Sequence, residues 1–220
     1  MYRLAVFDVA GTIVSDNGLV IECFSNSFAE VVPELWEKNQ SQFLNYAKEA
    51  MGQSKIEVFL KLIGSAPLAH KASEVFQEYY LTKLDSVEVF EGVPELFEDL
   101  MAAGVAVALN TGFNRDTLDL MMSRFGLQDL VAATATQSEA GEGRPSPAML
   151  QHVARQLGIT DAAEVAAIGD TKSDIQAAIR FGAGLKIGVL TGEHGARELE
   201  SAGADLVLKT AVESREYFLV

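Results

Sequence analysis

Short, near-continuous apolar runs alternate with amphipathic stretches over most of this chain. The runs are Leu4–Phe7, Val105–Leu109, Leu130–Ala133, Val165–Ile168 and Leu185–Leu190. Their length and their Gly, Asp or Thr borders suit parallel strands covered on both faces. Between them, Val93–Ala103, Asn114–Phe125, Pro147–Leu157 and Ser173–Phe181 read as helices. Gly104, Gly126, Gly158 and Gly182 follow these stretches, where C-terminal capping glycines belong. Strand and helix alternating in this way predict an α/β fold with a doubly wound parallel sheet.

Residues 19–83 break the alternation. Leu19–Val31, Gln42–Met51, Lys55–Ile63 and Ala69–Leu84 read as consecutive helices with no strand between them. Within Lys55–Ile63, the side chains of Ile56, Phe59, Leu60 and Ile63 share one helical face. A helical insertion after the first strand of such a core sits over the carboxyl ends of the strands, where open α/β sheets bind ligands. The expected division is a core of residues 1–15 and 86–220 and a helical cap of residues 16–85.

The composition narrows the partners. With 220 residues, 49% apolar and 22% charged, the chain is of ordinary globular make-up. Seventeen basic against thirty-one acidic residues leave a net charge of −14, which repels nucleic acid and anionic membrane surfaces. No nucleic acid and no membrane is expected as a partner; a small molecule is, and a homodimer stays open. The single cysteine, Cys23, lies among apolar neighbours and fits a reducing cytoplasm. The first apolar run ends at Asp8, so no signal peptide is expected. No run approaches the ~20 apolar residues that span a bilayer.

Candidate chemistry gathers at the ends of the expected strands. The first strand runs into Asp8-Val9-Ala10-Gly11-Thr12, a carboxylate followed by a glycine turn. Val105–Leu109 runs into Asn110-Thr111-Gly112, which offers a hydroxyl and backbone N–H groups where the next helix starts, a setting suited to an anion. Gly143-Arg144-Pro145 places a guanidinium on a loop, able to bind two phosphate oxygens through its planar fork. Val165–Ile168 ends in Gly169-Asp170-Thr171-Lys172-Ser173-Asp174, bringing two more carboxylates. Magnesium prefers oxygen ligands of this kind, together with water and substrate phosphate. A metal ion and Arg144 would draw an anionic substrate onto an otherwise acidic protein.

These four elements, in this order, resemble the four motifs of the haloacid dehalogenase superfamily, and the helical insertion resembles its cap. The resemblance implies a Rossmann-like core and hydrolysis through an aspartyl-phosphate intermediate, with Asp8 as nucleophile. It implies Thr111 as phosphate ligand, with Gly112 and Thr12 beside it in substrate binding, and Arg144 as charge stabiliser. It also implies Mg²⁺ held by Asp8, the Ala10 carbonyl and Asp170, with Asp174 in support.

Ala10 is a departure. Phosphatases of the superfamily usually carry a second aspartate at that place as general acid and base. Its loss is expected to cost ~10²–10⁴ in rate where the leaving group is poor. The phosphonoacetaldehyde hydrolases share the alanine, the arginine before proline, and a cap lysine within Met-Gly-x-x-Lys-Ile. Here the segment reads Met51-Gly52-Gln53-Ser54-Lys55-Ile56. In that family the lysine forms an imine with the substrate aldehyde, which makes carbon an adequate leaving group. The resemblance therefore implies Lys55 as a catalytic amine and Met51 as a substrate contact. Desolvation and the nearby Arg144 would favour its neutral form. Two positions depart from the related enzymes: Val58 stands for a histidine and Phe113 for a tyrosine.

The expected substrate is a small phosphonate or phosphorylated compound. The leading reading is hydrolysis of a carbonyl phosphonate. The alternatives are a phosphatase of a small phosphomonoester, such as a phosphoglycolate-phosphatase-like enzyme, and a catalytically silent relative that binds a phosphometabolite or a protein.

Overall fold

The first apolar run forms strand β1, Leu4–Asp8, in a computed structural model of the chain that describes residues 2–15 and 17–219. Met1, Asp16 and Val220, on which limits of the expected core and cap fall, lie outside the described residues. The chain continues through a two-residue strand, Val14–Ser15 (β2), into four helices: Leu19–Val31 (α1), Pro33–Glu49 (α2), Lys55–Ile63 (α3) and Ala66–Thr82 (α4). It returns at Glu88–Val89 (β3), which pairs antiparallel with β2. Then follow Val93–Ala102 (α5), Ala106–Thr111 (β4), Arg115–Phe125 (α6), Ala133–Thr136 (β5), Gln137–Ala140 (α7) and Ala148–Gln156 (α8). The last elements are Val165–Gly169 (β6), Lys172–Phe181 (α9), Leu185–Val189 (β7), Ala196–Ala202 (α10) and Leu206–Leu208 (β8).

Six strands form one parallel sheet in the order β5-β4-β1-β6-β7-β8. β1 sits near its middle, between β4 and β6, so each of its residues is buried. Alternate side chains serve opposite faces. Ala5 and Phe7 join the cluster of Leu96, Phe97 and Leu100 on α5, where the Phe7 and Phe97 rings stand 5.0 Å apart. Leu4 and Val6 join Met149, Leu150 and Val153 of α8 and Ala177 and Ala178 of α9. Helices on both faces make a doubly wound sheet, as the alternation predicts.

The insertion is held by aromatic packing. Phe24 stands 5.0 Å from both Phe59 and Phe76, and Phe28 stands 5.0 Å from Phe59 and 4.8 Å from Phe43. Each such buried ring stabilises the fold by about 1.5–3 kcal/mol relative to leaving it in water. Val58 is buried in the same cluster, so its side chain belongs to the packing of α3. Trp36 stacks on Phe28 at 5.6 Å.

The helix expected at Ala69–Leu84 spans Ala66–Thr82, and α7, α10 and β8 are additions to the sequence expectation; two further elements differ for a physical reason. The strand expected at Leu130–Ala133 lies instead at Ala133–Thr136; Gln128–Leu130 forms a 3-10 turn, with Leu130 and Val131 packed against the core. The helix expected at Gln42–Met51 begins at Pro33, whose fixed φ suits a first helical position, and breaks helical geometry at Asn39. Its first half is polar and largely exposed, so no apolar stripe marks it.

Candidate active site

β1, β4, β6 and β7 are parallel, so their carboxyl ends share one edge of the sheet, and the candidate residues meet there. Asp8 ends β1, Thr111 ends β4, Asp170 follows β6, and Thr191 and Gly192 follow β7. They line a cavity of about 230 Å³ together with Ala10, Gly112, Arg144, Met51 and Lys55.

Arg144 is the pivot. Its side chain is 1% exposed and reaches Asp8 Oδ1 at 2.7 Å through Nη2, while Nη1 pairs with Asp174 Oδ1. Asp174 in turn caps α9: its Oδ2 accepts the Thr171 N–H at 3.0 Å and the Thr171 hydroxyl. Both oxygens of Asp174 are thus engaged in orienting Arg144 and the loop above β6. The peptide bond from Arg144 to Pro145 is cis.

Asp170 is held from two sides. Its Oδ1 accepts the Thr12 hydroxyl at 3.1 Å and its Oδ2 accepts the Glu193 N–H at 3.0 Å. Thr12, expected among the substrate contacts, therefore lies buried against a carboxylate and is not part of the cavity wall. Burial pushes the Asp170 carboxyl up to about 7, and the neighbouring Asp8 adds to the rise; the two hydrogen bonds and Arg144 oppose it.

One carboxylate oxygen from each of Asp8, Asp170 and Asp174 lies within 4.8 Å of the others. Three buried carboxylates face one buried guanidinium, an excess of negative charge that a divalent cation would balance. The donor set is all oxygen, which suits a hard cation such as Mg²⁺.

The insertion enters the site through the turn before α3. Gly52 has φ +80, and a Cβ there would collide with Thr171 Oγ1. Gly112 lies so close that a Cβ would stand 2.9 Å from Gln53 O. Only glycine at these two places lets the 51–54 turn rest on the loops after β4 and β6. Lys55, the first residue of α3, is thereby set in the cavity wall, with Nζ 5.0 Å from the Phe113 ring centroid and 5.8 Å from that of Phe76. Phe113 is itself fixed, its ring 4.5 Å from that of Tyr80 and its N–H donating to Thr111 Oγ1 at 3.2 Å.

Every candidate from the sequence except Thr12 and Asp174 lines the cavity, and those two brace residues that do. The Thr191-Gly192-Glu193 loop also lines the cavity and is not among the sequence candidates. Its position just after a buried strand, as for the elements that carry Asp8, Thr111 and Asp170, is the signal that marks it.

A family model of haloacid dehalogenase-like hydrolases matches residues 5–188 of the chain. The chain belongs to that family. It is therefore a hydrolase of the haloacid dehalogenase superfamily. Among curated relatives it is 24% identical over 193 residues to a bifunctional phosphonoacetaldehyde hydrolase/aminoethylphosphonate transaminase of Clostridioides difficile (strain 630). That match covers 82% of this chain but 30% of the bifunctional protein. It is 28% identical over 224 residues to a phosphonoacetaldehyde hydrolase of Bacillus cereus, covering 92% of this chain and 81% of that one. Among solved structures, a predicted phosphoglycolate phosphatase of Haemophilus somnus 129pt superposes with a TM-score of 0.78 at 17% identity, covering 98% of this chain and 97% of that one. At that identity the likeness is one of fold. None of the helices in the described residues is long and apolar enough to cross a membrane.

Proposed function

We propose that this hydrolase is a magnesium-dependent, phosphonatase-like enzyme. In this reading Asp8 takes the phosphoryl group of a small carbonyl phosphonate, and Lys55, delivered by the helical cap α1–α4, activates the carbonyl. The observation that carries the reading is the shared cavity: Asp8 and Lys55 line it together, while Ala10 leaves no carboxylate where a general acid would stand.

The residues suit such a reaction. Lys55 Nζ adds to the substrate carbonyl and water leaves, giving a protonated imine. An Asp8 oxygen attacks phosphorus and the P–C bond breaks. Its electron pair moves onto the carbon next to the imine, which takes up the charge as an enamine. No strong acid is then required near Ala10. Water cleaves the aspartyl phosphate, returning Asp8 and releasing phosphate. The enamine takes a proton, and a second water frees the carbonyl product from Lys55.

The Phe113 ring face favours positive charge at Nζ, both in the ammonium and in the protonated imine. Arg144 lines the same cavity, where its guanidinium charge suits an anionic substrate. Asp8, Asp170 and the Ala10 carbonyl would hold Mg²⁺, which supplies charge neutralisation around the phosphoryl group. The −14 charge disfavours nucleic acid and membrane partners, and the single buried Cys23 suits a cytoplasmic enzyme.

Phosphate release measured side by side on carbonyl phosphonates and on matched phosphate esters tests the reading. Faster turnover of the phosphonates is expected. Hydrolysis of the esters alone would make the enzyme a phosphomonoesterase in which Lys55 serves as an anion contact.

A further inference from the structure

Lys55 borders two spaces. Lys55, Gly112 and Phe113 also line a second space of about 230 Å³ on the side away from the carboxylates. Ser73 and Gln77 of α4, Asn114 at the start of α6 and Gln137 of α7 supply its polar wall. Phe76 and Ile56 supply apolar surface. Among the described residues that line it, Lys55 is the one with a charged side chain.

The hydrogen bonds give this wall a polarity. Asn114 Oδ1 accepts the Thr117 N–H at 2.9 Å as the N-terminal cap of α6, which fixes its amide so that Nδ2 donates to Gln77 Oε1. Gln77 therefore keeps Nε2 as a donor for another partner. Ser73 precedes Gln77 by four residues on α4, which puts its hydroxyl on the same helical face. Gln137 is oriented by donating to Glu57 Oε1 at 3.1 Å. Small-molecule sites are built in this way, with apolar surface and a few placed amides and hydroxyls.

We propose that this second compartment receives the portion of the substrate that lies beyond the carbonyl carbon. That portion is uncharged and hydroxylated, two or more carbons long. The proposal rests on the reading that Asp8 takes the phosphoryl group while Lys55 meets the carbonyl. A two-carbon aldehyde ends at Lys55 and leaves the compartment to water. A hydroxylated extension would meet Ser73 and Gln77 over the Phe76 face. A carboxylate or phosphate there would find no cation beyond Lys55 itself.

The test uses the full chain with Mg²⁺ and two matched series. The phosphonates are phosphonoacetaldehyde, 2-oxobutylphosphonate and 3,4-dihydroxy-2-oxobutylphosphonate; the phosphate esters carry the same three carbonyl groups. The expected kcat/KM for the dihydroxylated member exceeds that of the unextended and the apolar members by about tenfold or more in the series that is turned over. Gln77→Leu and, independently, Ser73→Phe are expected to lower the ratio of dihydroxylated to unextended kcat/KM by a similar factor. Activity confined to the esters, with that preference intact, would remove the P–C reading and keep the compartment. Absence of the preference in both series, or a ratio that neither variant changes, overturns the compartment.

Discussion

The Lys55 ammonium and the Phe113 ring face each other at 5.0 Å, a contact between the first residue of α3 and the loop that follows β4. Phe113 carries no ring hydroxyl, and the negative face of its ring meets the cation. Such a contact is worth about 0.5–2 kcal/mol. Phe113→Leu is expected to lower kcat/KM on a carbonyl phosphonate by roughly 2- to 30-fold, following that range. Phe113→Tyr should retain most of it. Wild-type kinetics in Phe113→Leu would show that the ring plays no part.

Asp8→Asn should abolish turnover while the protein still folds, because an amide is a poor nucleophile. Phosphate release and circular dichroism measured on the same preparation check both halves. A variant keeping more than about a tenth of the wild-type rate would remove Asp8 from the covalent role.

Asp170 is expected to tie metal binding to stability. Its folded value of about 7 lies above its ordinary 3.8, so the folded state holds the proton more tightly than the unfolded chain does. Its contribution is fully present below about pH 4 and is lost as the pH rises toward 7. In excess chelator, the melting temperature of Asp170→Asn relative to wild type should therefore climb between pH 4 and pH 7. At pH 7, Mg²⁺ should raise the wild-type melting temperature and leave the variant nearly unmoved. Activity should vanish in chelator and return with Mg²⁺. A pH-independent difference between the two proteins would contradict the upward shift of the Asp170 carboxyl.

Gly52 carries the insertion onto the core. Gly52→Ala places a side chain in left-handed backbone, at a cost of about 1–2 kcal/mol, and against Thr171 Oγ1. Gly64 has a similar backbone, φ +72, with open space around its missing Cβ. Both alanine variants should lose stability, and only Gly52→Ala should also lose activity, by displacing Lys55. Equal activity in the two would mean that Lys55 does not depend on the Gly52 contact.

The parts of this fold that could be read from the sequence are those whose burial is near complete. β1, β4 and β6 are apolar on both faces over most of their length, and β7 departs only at Lys186, so their runs stand out without alternation. β5 carries Thr134 and Thr136 at the sheet edge, and the apolar Leu130 and Val131 before it pack without joining the ladder; the run therefore pointed three residues early. The two-residue strands β2 and β3 are too short to carry a period. At the site, Asp8, Thr111 and Asp170 could be found because each ends or follows a buried strand, and Arg144 because it stands before a proline on the loop leading into α8. Thr12 could be named but not placed: nothing local shows that its hydroxyl turns to Asp170, 158 positions away in sequence. The second compartment was invisible for the same reason. Ser73, Gln77, Asn114 and Gln137 come from two helices and the N-terminal cap of a third, and only the packing brings them together.

Lys55 is expected to react covalently with a carbonyl in the cavity that holds Asp8. Borohydride reduction in the presence of phosphonoacetaldehyde, followed by peptide mass mapping, tests it directly. The expected result is a stable adduct on the peptide carrying Lys55, absent without the aldehyde and absent in Lys55→Arg. No adduct on Lys55 with any carbonyl phosphonate, together with a Lys55→Arg variant that keeps most of its turnover, would contradict the account.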